Sequence, residues 1–195
     1  MTDIVDLVEE VENNTKETSN QEIVEQTDTY LNDVWTFYFH DPYDASWVNE
    51  SYKLLGTIGT AEEFWQHHSL VKSDVNKGIF FIMRDYVFPC WDDPANLEGG
   101  CLSIKVLKDV VAEFWEDISI KLLGETLLKE EHRNSWNLIN GISTSPKKHF
   151  CIIKIWVKDG SLDSKDFFDL LPGYYGEILF KLNRENIQLE HSKGK

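Results

Sequence analysis

Between residues 34 and 157, six short segments rich in β-branched and aromatic side chains are separated by turn-forming residues: 34–40, 51–58, 78–84, 101–106, 136–144 and 150–157. Side chains of this kind fit the pleated, half-buried surface of a strand. The connection at 145–149 is short enough for a hairpin, and an antiparallel sheet is expected over a parallel one. Helical signals fall between the strands. Thr60 precedes an apolar-periodic run and Glu63 lies three residues on, the spacing of a capping box. Residues 108–127 place apolar side chains at 110, 111, 114, 115, 118, 122 and 123, a period near that of an α-helix. A third helix is predicted over 164–183, interrupted at Leu171, Pro172 and Gly173, with a closing strand at 187–190. The expected fold class is α+β: a curved antiparallel sheet of about six to eight strands, backed by three helices on its convex face.

Charge narrows the function. The net charge is −15, which opposes sequence-independent nucleic-acid binding, because that rests on Lys and Arg neutralising phosphates. Residues 1–28 carry nine acids and one base, and no aromatic residue. They are predicted to be an acidic disordered tail, ahead of a folded domain over 29–195. The body, with 25 acids against 18 bases, is also acidic, so any nucleic acid should be held at a local site. Cys90, Cys101 and Cys151 are scattered, as suits reduced thiols. The acidic start has no positive stretch leading into an apolar run, and no apolar run is long enough to span a bilayer; a soluble, intracellular protein without a membrane partner is expected.

Seven tryptophans raise the question of which serve the core and which are left for binding. Trp47 and Trp91 both fall in loop segments, where a large aromatic side chain asks for a reason other than packing. Asp92, Asp93 and Glu98 follow Trp91 in one loop. They offer oxygens to a hard metal, but Pro94 interrupts them, and no metal, cofactor or catalytic residue is assigned. His67 and His68 point in different directions on their helix. No phosphate loop, nucleophile elbow or zinc spacing occurs.

Three segments then line up with a known family. TAEEFW at 60–65, PCWDDPANLEGG at 89–100 and EFWEDISIKLLGETL at 113–127 resemble the cap-binding translation initiation factor 4E family, as does the spacing of Trp35, Trp47, Trp65, Trp91, Trp115 and Trp156. The resemblance runs over about 30–190 and implies that the 29–195 body is a cap-binding domain.

The chemistry of the cap accounts for the residue types. N7-methylation makes guanine a delocalised cation, so two indole plates supply stacking of roughly 1–3 kcal/mol and cation–π attraction of roughly 0.5–2 kcal/mol. The resemblance implies Trp47 and Trp91 as plates and Asp92 as acceptor for the guanine N1–H and exocyclic amine, where the family usually has Glu. Asp92 and Asp93 could equally solvate the turn before Pro94. Trp156 matches the methyl-contacting Trp, with plain core packing as the alternative. Lys147 and Lys148 match a phosphate-contacting position, Lys147 better, although a lysine pair also suits a bare turn. The family places an Arg on the strand after Gly-Gly, and this chain has Cys101 there.

The resemblance also implies a dorsal surface that takes a partner helix bearing a Tyr and a Leu-Φ pair. Trp65 and Gly124 match it, and Ala61 replaces a larger aliphatic. Tyr30 falls where the family has Pro, after Thr29 in place of His. Glu116 replaces an apolar residue, with Asp117 beside it. The expected function is to bind the 7-methylguanosine 5′ cap of mRNA in translation initiation, as a monomer within a complex, bridging mRNA to a scaffold protein and the ribosome. The alternative is a divergent paralogue acting as a repressor or competitor with altered or lost scaffold binding. Expected partners are capped mRNA and a scaffold of the 4G type or a 4E-binding repressor, in the cytoplasm or also the nucleus.

Overall fold

A computed structural model of the chain describes residues 28–193. The reading of residues 1–28 as a disordered tail lies outside these residues, Asp28 apart.

Seven strands form one sheet: β1 (Tyr30–His40), β2 (Tyr52–Thr60), β3 (Ile79–Arg84), β4 (Gly100–Leu107), β5 (Ile139–Pro146), β6 (Phe150–Val157) and β7 (Tyr175–Leu182). Their order is β2-β1-β3-β5-β6-β4-β7, and every neighbouring pair is antiparallel. The sheet is curved, as expected of the fold class.

Strand alternation separates two faces. Trp35, Phe37, Phe39, Phe80, Ile82, Leu102, Ile104, Ile153 and Ile155 turn to one side and form the main core. Two helices cover that side: α1 (Ala61–Val71), through Phe64 and Val71, and α2 (Val111–Leu123), through Phe114, Trp115, Ile118 and Leu122. Thr60 caps α1 with the predicted capping box, its hydroxyl accepting from Glu63 N while the Glu63 carboxylate accepts from Thr60 N. Arg84 is buried on the same side. It donates to Ile139 O at 2.6 Å and pairs with Asp33. Its guanidinium lies 5.0 Å from the Trp35 ring, so the buried charge is both paired and hydrogen-bonded.

The C-terminal part departs from expectation. The stretch 164–183 is not a helix: a short 3-10 turn, Lys165–Phe167, leads to β7, and the third α-helix, α3 (Asn183–Lys193), follows where a closing strand was predicted. Pro172 removes a donor and Gly173 takes φ 84°, so the helical period cannot continue through them. Trp136 lies in a 3-10 stretch, Glu130–Leu138, ahead of β5 rather than in it. Among the described residues no helix is long and apolar enough to cross a membrane.

Candidate functional site

Among the described residues, neither α1 nor α2 contributes to the cluster on the sheet's other face. There a second aromatic cluster gathers Ile79, Phe81, Met83, Val87, Cys101 and Trp156, with Tyr38, Tyr52, Trp91 and Ala95 packed against it. Trp91 and Trp156 thus reach one open face from a loop and from β6.

The loop between β3 and β4 is held by buried asparagines. Asn96 donates to Phe88 O at 2.9 Å and Cys90 O at 2.8 Å, on either side of Pro89. Asn140, at the start of β5, donates to Ala95 O and to Asn96 Oδ1. Asn183 donates to Asn96 O at 2.7 Å, and its Oδ1 accepts from the Cys101 thiol at 3.4 Å. Asp93 turns inward, accepting from Ala95 N at 2.8 Å. These bonds leave Trp91 half-buried and Asp92 exposed at the loop's rim. The Cys90 thiol is pushed up to about 12 by burial, with a hydrogen bond to Asp92 adding to the effect. The two acids therefore divide: Asp93 builds the turn, while Asp92 stands exposed beside the Cys90 thiol with acceptor capacity to spare. The Gly-Gly pair is structural. A Cβ on Gly99 would lie 1.9 Å from Val157 O, and one on Gly100 2.6 Å from Lys181 O, so only glycine lets β4 enter between its neighbours.

Trp156 is 3% exposed, and its indole N–H donates to Ser143 Oγ at 2.9 Å. It forms part of the floor. Trp47 is 52% exposed and stacks in parallel on His40, with centroids 4.0 Å apart and an 8° interplanar angle; Tyr52 meets it edge-on at 6.0 Å.

Cys101 is fully buried beneath this face, and burial pushes its thiol up to about 12, so it supplies no charge. Cations come from elsewhere. Lys154 sits on β6 between Ser103 and Ser143 by register. Its Nζ lies 5.1 Å from the Trp91 ring and 5.8 Å from the Trp156 ring. Lys105 Nζ stands 4.5 Å over Phe150. Lys147 and Lys148 are exposed in the β5–β6 turn. The Lys147 ammonium is lowered by burial first and then by the like charge of Lys154. Lys154, His40 and the three asparagines were not singled out from the sequence. Alternation places Lys154 on the face of Trp156, two residues away, and was the signal available for it. Asn140 and Asn183 carry no local signal, since they meet Asn96 only across the fold, and the partners of His40, though near in sequence, belong to no recognisable motif.

On the helix-covered side, Trp65 is 47% exposed and Tyr30 is more open still, while Ala61 is half-buried. Thr29 O accepts from Ala61 N at 2.9 Å, tying the start of β1 to the start of α1. Glu116 is engaged within the chain: Lys72 Nζ is 2.8 Å from its carboxylate and His68 Nε2 is 3.5 Å away. The Lys72 hydrogen bond holds that carboxyl below its ordinary value. Asp117 pairs with Lys121 at 3.1 Å, and Gly124 ends α2, donating to Ile120 O. The predicted dorsal residues are thus split between an apolar end around Trp65 and a polar end around Glu116. Among the described residues no group of three or more His, Cys, Asp or Glu side chains is placed to hold a metal ion.

The sequence model of eukaryotic initiation factor 4E matches residues 30–185. Eukaryotic translation initiation factor 4E of Candida albicans is 26% identical over 139 residues, 66% of this chain and 64% of that protein. Translation initiation factor 4E-1 of Hordeum vulgare is 28% identical over 138 residues, 67% of this chain and 61% of that protein. The chain therefore spans less than two thirds of the length of these relatives. Among solved structures, Caenorhabditis elegans eIF4E-3 in complex with the 4E-binding protein Mextli superposes with a TM-score of 0.68 at 14% identity, over 82% of this chain and 96% of that one. Schistosome eIF4E complexed with m7GpppG and 4E-BP gives 0.60 at 21% identity, over 69% and 74%. At these identities the structures share the fold with this chain.

Proposed function

We infer the function from one premise, that this chain belongs to the eukaryotic initiation factor 4E family, and propose that it binds the 7-methylguanosine 5′ cap of mRNA in translation initiation. The observation that supports the reading is the gathering of Trp91 and Trp156 in one cluster, with the Lys154 ammonium over the Trp91 ring and the exposed Asp92 next to Trp91 in its loop. The cap base stacks on Trp91, with Trp47 as the opposing plate. Asp92 accepts from the guanine N1–H and exocyclic amine, a charge-assisted pair that only guanine offers. Trp156 lies beneath the methyl group. Lys147 and Lys148 attract the phosphates. The site holds its ligand and performs no reaction. Its place of action is the cytoplasm, where capped mRNA meets ribosomes.

Capture on an agarose-linked 7-methylguanosine nucleotide tests the reading. The wild-type protein is expected to be retained and to elute with free 7-methylguanosine triphosphate but not with GTP. Passage of the wild-type protein straight through the column would count against it.

For the dorsal surface we propose docking of a helix with a Tyr and a Leu-Φ pair, around Tyr30, Ala61, Trp65 and Gly124. A scaffold bound there would bridge mRNA to the ribosome. The second reading is a cap-binding competitor with weakened scaffold contact, and the Lys72–Glu116 ion pair favours it, because that pair puts fixed charge where an apolar partner face would rest. Titration with a scaffold-type helical peptide separates the two. Tight binding supports bridging, and weak binding that Glu116→Leu strengthens supports the competitor.

A further inference from the structure

We propose that Lys154 is a specificity-determining residue of the cap site: its ammonium covers the Trp91 ring in the free protein, and the incoming base displaces it onto the phosphate chain. The proposal rests on the cap-binding reading above. Its basis is a position that neither the resemblance nor the phosphate assignments include. Lys154 Nζ stands 5.1 Å from the Trp91 ring and 5.8 Å from the Trp156 ring, within the reach of cation–π attraction to both. Among the described residues it enters no ion pair. The indole faces are therefore its principal electrostatic partners, and no carboxylate anchors it against displacement.

A 7-methylguanine base is itself a cation that seeks the Trp91 ring, and two like charges cannot share one face without repulsion. The lysine stem has four rotatable carbons and can swing its head several ångströms from a fixed strand position. Lys147 lies near enough for its ammonium to be lowered by the Lys154 charge. A triphosphate arriving beside Lys147 would relieve that repulsion and draw Lys154 off the ring. Cys101 is buried and supplies no charge, so Lys154 adds a cation on the face of Trp156 that Cys101 does not provide.

Two consequences oppose each other, and this makes the proposal testable. Before the phosphates engage, Lys154 penalises a cationic base more than a neutral one, which lowers discrimination for the methyl group. Once they engage, it rewards phosphate. Calorimetric titration of the full chain and of Lys154→Met with 7-methylguanosine, its monophosphate, its triphosphate and GTP reads both. Met keeps most of the unbranched stem and loses the charge, and Lys154→Gln gives a second neutral variant should Met perturb the sheet. Expected for both variants are severalfold tighter binding of the unphosphorylated nucleoside and a severalfold smaller gain from monophosphate to triphosphate, with the ratio of methylated to unmethylated triphosphate affinity unchanged because Lys154 has left the ring in both complexes. If the nucleoside binds the variants no better than the wild type while methylated triphosphate still binds, the proposal fails and the cap reading stands. If no methylated nucleotide binds any of the proteins, both fail.

Discussion

The imidazole of His40 lies parallel to the indole of Trp47, with centroids 4.0 Å apart and planes 8° from coincidence. His40 is buried at the end of β1. One ring nitrogen is 2.8 Å from Asp41 O and the other 2.8 Å from Ser46 O, the two ends of the loop that presents Trp47. His40 therefore fixes the loop and the plate together. His40→Ala would remove the ring N–H that one of these carbonyls accepts from and open a cavity, at a cost of about 2–3 kcal/mol. The expected outcome is a lower urea midpoint together with weaker cap binding. His40→Phe, which keeps the stack but loses the ring N–H, should recover part of the binding. Equal loss in both variants would show that the stack does not position Trp47.

Asn96 touches no proposed ligand atom, yet its amide holds both Phe88 O and Cys90 O, and its backbone and side chain accept from Asn183 and Asn140. Asn96→Ala is expected to destabilise the fold by about 2–3 kcal/mol and to weaken cap binding, because Trp91 and Asp92 ride on the loop it secures. Hydrogen exchange would show faster exchange of amides 88–93 than in the wild type. Unchanged exchange there would refute the anchoring role.

Replacing Cys101 by the Arg that the family places there should not improve binding. Cys101 is buried, with its thiol against Asn183 Oδ1 at 3.4 Å. A guanidinium in its place would be overpacked and without a counter-charge, at a cost of several kcal/mol. Thermal unfolding of Cys101→Arg is expected well below that of the wild type. A stable variant with tighter triphosphate binding would contradict this account.

Acid should destabilise the α1 region before it reaches the carboxylates. Burial lowers both His67 and His68 from 6.5, so the unfolded chain binds protons that the folded chain refuses, and stability falls as pH drops below about 6.5. Glu116 is shifted the opposite way for stability: Lys72 depresses its folded value below 4.5, so its contribution is present above pH 4.5 and is lost only below it. Between pH 7.5 and 5.5 the wild-type Tm is expected to drop by roughly a few degrees, and less in His68→Leu. The same slope in both proteins would remove His68 as a cause.

Much of this was legible from the chain. The β-branched and aromatic run at 34–40, and the capping box at Thr60 and Glu63, rest on local rules, and β1 and α1 obey them. The stretch after Ser164 misled because its apolar spacing suits a helix, while Pro172 and Gly173 break it and pairing with β4 supplies a better use for residues 175–182. The Trp91 loop could be recognised as a motif. Its asparagine anchors could not, because Asn96, Asn140 and Asn183 meet only once the sheet has closed. Lys154 lay on a strand that was predicted, and its meaning came only from where the Trp91 ring settles.

Tryptophan fluorescence during titration with 7-methylguanosine triphosphate, repeated with GTP and with Trp91→Ala, bears most directly on the central claim. The account predicts saturable quenching that depends on the methyl group and is largely lost in Trp91→Ala. Absence of quenching in the wild type, or equal quenching in Trp91→Ala, would contradict it, and would turn attention to Trp65 and the dorsal surface as the reason this fold was kept.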